Sequence, residues 1–252
     1  MKQPSIYLRN QKKLVMNNLF ITGTDTDAGK TALSSLLLSH LNESGKSVLP
    51  MKPAQSGCNN SIPDLDYALS LSGINVSSEI KDLMSPACYQ PACSPHLAAE
   101  MENKSLTLQD LVKAYHQLTN YAEVLLVEGA GGILVPINRQ ETMLDLIYAL
   151  KIPAIIAARP GLGTINHTLL TINALHQQNI PIIGFVFVHT HKDAGDFTET
   201  DNARTISEFG KTKWLGTIPY LPELDSENPP HYSSLPIVFK NIIEQIAEKV
   251  FS

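Results

Sequence analysis

The 252-residue chain lacks any concentration of basic residues, any long apolar run and any cysteine framework. Its 19 Lys and Arg against 24 Asp and Glu leave a net charge of −5, and no stretch gathers the cations. The electrostatic footprint of a duplex-binding surface is therefore missing, and nucleic acid is not an expected partner. No apolar run approaches the roughly 18 residues that cross a bilayer, so a soluble protein with no membrane partner is expected. Cys58, Cys88 and Cys93 are odd in number and lack metal-site spacing. Pairing cannot account for all three, no neighbouring cation activates Cys88 or Cys93 as a nucleophile, and a reduced, cytoplasmic setting is expected. Residues 1–17 are polar and carry no secretory h-region, so they read as an extension outside the core, with Met16 an alternative start. What remains, 43% hydrophobic and 17% charged residues, suits one globular domain with an ample core and excludes disorder or a collagen-like repeat.

Short apolar runs alternate with helix-period segments over residues 18–252, which argues for an α/β fold: a mostly parallel sheet flanked by helices in a single domain. Strands are expected at 19–22, 47–51, 124–127, 154–158, 182–188 and 214–218. Helices are expected at 30–44, 106–119, 142–150, 164–178, 201–209 and 237–250. VLLV and AIIAA are apolar throughout, as strands buried on both faces must be. Residues 53–100 break the rhythm and read as a long irregular connection of the functional kind, and 222–236 as a surface loop.

The strongest local signal is LFITGTDTDAGKT, residues 19–31, where an apolar strand enters a loop that ends in Gly-Lys-Thr and opens a helix. That is the context of a phosphate-binding loop, so the fold is expected to be P-loop NTPase-like. Loop N–H groups and the positive helix end would cradle phosphate oxygens, Lys30 would add charge, and Thr31 would reach Mg²⁺. Thr24 stands where the consensus has its first Gly, and a capped strand-to-helix turn is the plainer alternative. Glu128 ends the buried strand of VLLVEGAGG, where open parallel sheets place their ligand crevice, so its carboxylate could serve the same metal. Lys52, in MKPAQSG after the second strand, could meet phosphate or a developing anion, with Ser56 nearby as donor. Taken singly, Glu128 and Lys52 read equally well as a solvated acid and a surface lysine.

In order along the chain, GTDTDAGKT, KPAQSG, DLDYALSL, SPH at residues 94–96, VEGAGG, GLGTINHTLLT and GTIPYLP resemble the dethiobiotin synthetase family over residues 18 to about 225. The resemblance implies an ATP- and Mg²⁺-dependent ligase that closes a ureido ring from 7,8-diaminopelargonate and CO₂, through a carbamate and its phosphorylated anhydride. It implies Asp27, Ala28, Gly29, Lys30, Thr31 and Ala32 at the triphosphate, and Thr31, Asp66 and Glu128 at Mg²⁺. Gly129, Ala130, Gly131, Pro219, Tyr220 and Leu221 would complete the nucleotide site. Thr24, Lys30 and Lys52 would be catalytic, with Ser56 on the substrate. Gly163, Thr164, Ile165 and Asn166 would take the substrate carboxylate from the other subunit of a homodimer with shared active sites.

The family pattern alone selects Asp66, since Asp64 lies two residues away in a segment that could expose either. Val188 and His189 stand where the family often has Asn-Asp beside the adenine. His189 and His191 read as surface-loop residues without a third metal ligand, and His96 and His167 as either structural or substrate-facing. The competing readings are a partition or septum-site ATPase, a nucleotide-binding module without catalysis, and a cobyrinate-type amidotransferase. The first would carry a further lysine within residues 23–29, the second has no reason to keep Lys30, Thr31, Lys52 and Glu128 together, and the third needs a glutaminase domain.

Overall fold

In the computed structural model, which describes residues 18–251 apart from 60, 193, 194, 196 and 227, six parallel strands form one twisted sheet. They are β1 (Leu19–Gly23), β2 (Val48–Met51), β5 (Val124–Gly132), β6 (Ala154–Ala158), β7 (Ile182–Val188) and β8 (Trp214–Ile218), in the spatial order β2-β5-β1-β6-β7-β8. A separate pair, β3 (Ala54–Ser56) and β4 (Ala87–Tyr89), is also parallel. The helices are α1 (Lys30–Glu43), α2 (Pro63–Ser72), α3 (Ser78–Met84), α4 (Pro95–Met101), α5 (Leu108–Leu118), α6 (Met143–Leu150), α7 (Thr164–Gln177), α8 (Glu199–Gly210) and α9 (Ile237–Phe251). The expected extension, 1–17, lies outside the described residues.

Side chains alternate across the sheet with the two-residue period of a strand. Leu19, Ile21, Leu126, Ile155, Ala157, Val186 and Val188 face a core completed by α1 and α9, through Leu33, Leu37, Phe239 and Ile243. Phe20, Leu125, Val127, Ile156, Phe185 and Phe187 face a second core, built by Leu111 of α5, Ile147 of α6, Ile172 of α7 and Ile206 of α8. Burial on both faces explains why the central strands are apolar without a break. Asn18 fastens the entry to β1: its Oδ1 accepts from the Leu125 N–H at 2.8 Å, and its Nδ2 donates to the Tyr115 hydroxyl at 2.7 Å.

Three departures from the sequence reading matter for the site. Residues 53–100 are not an irregular connection: they hold β3, α2, α3, β4 and α4. β5 continues to Gly132 instead of ending at Val127, and its register with β1 slips between Ile21↔Glu128 and Gly23↔Gly132. The ladder resumes at Gly132 after the slip, and a Cβ at Gly129 would stand 2.9 Å from Phe20 Cε1. Finally, Cys58 and Cys88 are joined in a disulfide with Cα atoms 6.2 Å apart, and Cys93 stays free. This overturns the expectation of reduced thiols at Cys58 and Cys88. The bond ties the ends of β3 and β4, which pairing has already brought side by side.

Candidate active site

Because all six strands of the main sheet run the same way, the loops that follow β1, β2 and β5 open at one edge. β1 sits between β5 and β6, with chain continuing to either side, so the crevice at its carboxyl end is the position where such sheets bind ligands. A cavity of about 920 Å³ lies there, bordered by the β1–α1 loop, Lys52, Gln55, Ser56, Asp64, residues 92–95 and Glu128.

Loop 24–29 turns through two left-handed residues, Asp27 (φ 56°) and Gly29 (φ 84°). Asp tolerates this conformation better than most residues, and Gly adopts it at no steric cost. A Cβ at Gly29 would also lie 2.4 Å from Val188 Cγ1. Val188, which the family pattern would set beside the base, is instead fully buried beneath the loop as its support. Lys30 is buried and reaches back across the loop, donating to the Asp25 carbonyl at 2.8 Å. Burial, and secondarily Lys52, hold its pKa below the ordinary lysine value.

Glu128 is the hub. Its Oε1 accepts from Thr31 Oγ1 and from Lys52 Nζ, both at 2.8 Å, and its Oε2 accepts from Ser34 Oγ at 2.6 Å. Lys52 Nζ also donates to the Gly129 carbonyl at 3.3 Å and pairs with Asp64 Oδ2 at 2.6 Å. Burial by itself would lower the Lys52 pKa, but Glu128 and Asp64 outweigh it and raise the pKa above the usual value. The ammonium is thus held charged between two carboxylates at the mouth of the phosphate loop. The structure brings together Thr31, Glu128 and Lys52, on three different elements.

It does not bring Asp66 to them. Asp66 accepts from the Ile62 N–H at 2.9 Å through Oδ2 and pairs with Lys81 through Oδ1, and it borders the neighbouring cleft that Thr31 and Asp64 also line. Asp64, and not Asp66, pairs with Lys52. Two residues on a helix point roughly 200° apart; Asp64 alone borders the main cavity, while both border the second cleft. Sequence reasoning also missed Ser34, one of three serines in α1, one turn beyond Thr31. It missed Gln55 as well, which is 7% exposed, borders the cavity, and has an Oε1 without a hydrogen-bond partner. Ser56, Ala130 and Gly131 border the cavity as expected.

Ligand contacts for the start of α7 were expected. Gly163 is left-handed (φ 91°), Thr164 is buried, Ile165 packs into the core and Asn166 is exposed. Thr24, Arg159, Thr164, His167, Thr190 and His191 border a smaller recess beside the main cavity. Pro219, Tyr220 and Leu221 follow β8. Leu221 packs on the core that holds Val188, and the Tyr220 hydroxyl bonds Asp225. His189 is not a plain surface residue: its Nε2 lies 2.9 Å from Glu199 Oε2, whose other oxygen accepts from Thr217 Oγ1 at 2.7 Å. A second cleft beside Thr31 and Ala32 is walled by Asp64, Asp66 and Tyr67. Tyr67 donates to the Leu224 carbonyl at 2.9 Å, and its pKa is pushed up to about 12, by burial first and Asp225 second.

Thr31, Asp64 and Glu128 offer oxygen donors alone, which suits a hard cation such as Mg²⁺. Among the described residues no group of three or more His, Cys, Asp or Glu is arranged for a metal ion, so the hydroxyl of Thr31 is an essential part of that set.

The AAA domain family matches residues 17–228. The chain is 36% identical to the ATP-dependent dethiobiotin synthetase BioD of Halalkalibacterium halodurans, over 84% of this chain and 88% of that one. To the enzyme of the same name from Bacillus subtilis it is 34% identical, over 86% and 93% of the two chains. This chain belongs to the dethiobiotin synthetase family. Among solved structures, the cell division ATPase MinD of Pyrococcus furiosus superposes with a TM-score of 0.61 at 15% identity, over 93% of this chain and 98% of that one. A ParA family ATPase of Chlorobium tepidum gives 0.54 at 12%, over 94% and 97%. These likenesses establish the fold, while the dethiobiotin synthetases are related in sequence over most of the chain. No helix among the described residues is long and apolar enough to cross a membrane.

Proposed function

We propose that this chain makes dethiobiotin from 7,8-diaminopelargonate, CO₂ and ATP with Mg²⁺. One amine of the diamine adds to CO₂ and loses a proton, giving a carbamate. A carbamate oxygen takes the γ-phosphoryl group, and the second amine attacks the carbonyl carbon, expelling phosphate and closing the ureido ring. The observation that carries this reading is Lys52, charged and wedged between Glu128 and Asp64 beside a phosphate loop. A nucleotide hydrolase needs cations only along the triphosphate, whereas carboxylation adds a further anion, and Lys52, just after β2, stands apart from Lys30 at the start of α1 to meet it.

Asp27, Ala28, Gly29, Lys30, Thr31 and Ala32 would hold the triphosphate through backbone N–H groups and the Lys30 ammonium. Thr31, Asp64 and Glu128 would hold Mg²⁺, which when bound offsets phosphate charge; Asp64 is preferred to Asp66 because it borders the main cavity with Thr31 and Glu128 and pairs with Lys52. Thr24, Lys52 and Ser56 would face the diamine and carbamate. Gly129 to Gly131 line the nucleotide side, and Pro219 to Leu221 the base. The exposed Asn166, with Leu162 exposed just ahead of α7 and Leu170 exposed on it, supports a homodimer in which the Gly163 to Asn166 turn binds the carboxylate of the neighbour's substrate. A cytoplasmic location fits a family of soluble ATP-using ligases.

Incubation with diaminopelargonate, bicarbonate, Mg²⁺ and ATP, followed by mass spectrometry, tests the reading. It should give dethiobiotin in proportion to the ADP released, from a species of dimer mass by light scattering. ADP release without dethiobiotin would overturn the reaction, and an active monomer would overturn the shared site.

A further inference from the structure

Closing a ureido ring forms two C–N bonds, and each releases a proton from nitrogen. Lys30 and Lys52 are cations and cannot take it, and Asp64 and Glu128 are committed to Lys52, Thr31 and Ser34. The far wall of the cavity holds a pair with no part in phosphate binding. Ser94 borders the cavity just ahead of α4, and its Oγ lies 2.9 Å from His96 Nδ1. A serine at this position ordinarily caps its helix by accepting a backbone N–H. Ser94 makes no such bond; its hydroxyl is hydrogen-bonded to the imidazole instead, and donates to it in the tautomer that carries the proton on Nε2.

Behind His96, one turn further along α4, stands Glu100, gripped by Arg139 through two hydrogen bonds of 2.7 and 2.6 Å. Arg139 holds the Glu100 carboxyl below the usual range, and His96 contributes in the same sense. The other titratable groups near α4 are Cys93 before it, Tyr89 on β4, and Glu102 and Lys104 just beyond it, with Lys104 paired to Glu102; β3 brings none. Beside Ser94 in the cavity wall, Gln55 presents its buried, unpartnered Oε1, an acceptor that calls for a ligand N–H.

Resting on the ring-closure reading, we infer that Gln55, Ser94 and His96 handle the substrate amine, with Ser94 and His96 forming its proton relay. The amine nitrogen forms its bond to carbon and passes its proton to Ser94 Oγ. The Ser94 hydroxyl proton moves to His96 Nδ1, and the imidazolium returns a proton to water from Nε2. Ser94 is the catalytic residue of the pair; His96 acts through it, as a positioning residue that also receives the proton.

The test is steady-state turnover with diaminopelargonate, bicarbonate and Mg-ATP for His96→Gln, Ser94→Ala and wild type across pH 6 to 9. Loss of a positioned base should lower kcat at pH 7 about a hundredfold, with the ATP KM changed less than about threefold. The deficit should shrink as pH rises, because solvent then takes the proton, and added imidazole should restore part of the activity of His96→Ala. Ser94→Ala gives a second reading should His96→Gln fail to fold. Near wild-type kcat in both variants, or a loss equal at every pH with no rescue by imidazole, overturns the relay. A wild-type protein that forms no dethiobiotin would instead overturn the ring-closure reading itself, so the two failures are distinguishable.

Discussion

At the residue scale the instructive pair is Asp64 and Asp66. Sequence spacing could not separate them, because both sit at the start of one helix and the choice depends on its phase. The structure turns Asp64 to Lys52 at 2.6 Å and leaves Asp66 to the Ile62 N–H and Lys81. The two carboxylates should therefore fail differently. Asp64→Asn removes a charge from the proposed metal site and should lower turnover about a hundredfold or more. Asp66→Asn loses a half-exposed ion pair worth at most about 1 kcal/mol and should keep turnover within a few-fold. Kinetics of the two variants at saturating Mg-ATP decide it, and the reverse ranking would restore Asp66 as the ligand. Lys30, Thr31, Lys52 and Glu128 were legible because their motifs fix both neighbour and strand end. Gln55 and Ser34 were not, because a single buried amide or hydroxyl leaves no periodic trace.

At the element scale the strands of the main sheet other than β5 were read to within about one residue at each end, since unbroken apolar runs between glycines and prolines have few alternatives, whereas the glycine-rich end of β5 was missed. Residues 53–100 were misread for a physical reason: elements of three to ten residues are too short to display a period, and several bury only Ala, Leu and Met. The Cys58–Cys88 bond could not be deduced either, since cysteine spacing does not give connectivity. It has a consequence for stability. It closes a chain segment of 30 residues that carries α2 and α3 and, with them, Asp64. Chain-entropy arguments give such a closure about 3 to 4 kcal/mol. A dithiol reductant, or Cys58→Ser, should therefore lower the melting temperature by roughly 5 to 10 °C for a domain of this size. An unchanged Tm under reduction would contradict the stabilisation, and three reactive thiols in the native protein would contradict the bond itself.

At the scale of the whole molecule, the strand order decides what meets at the crevice. Placing β1 between β5 and β6, with β2 beyond β5, delivers Thr31, Lys52 and Glu128 to one edge from residues up to 97 positions apart. The same frame serves MinD at a TM-score of 0.61 with 15% identity, so the architecture by itself does not specify the reaction. The segment between β2 and α5, which the sequence read least well, supplies Lys52, Gln55, Asp64 and Ser94 to the cavity and is where the proposed reaction places its specificity. The central claim is that Lys52 serves the carboxylated substrate while Lys30 serves the triphosphate. The measurement that tests it most directly is turnover and ATP affinity of Lys52→Ala. Turnover should fall at least about a hundredfold while ATP affinity changes less than about tenfold, and near-normal turnover, or an equal loss in both, would contradict the assignment.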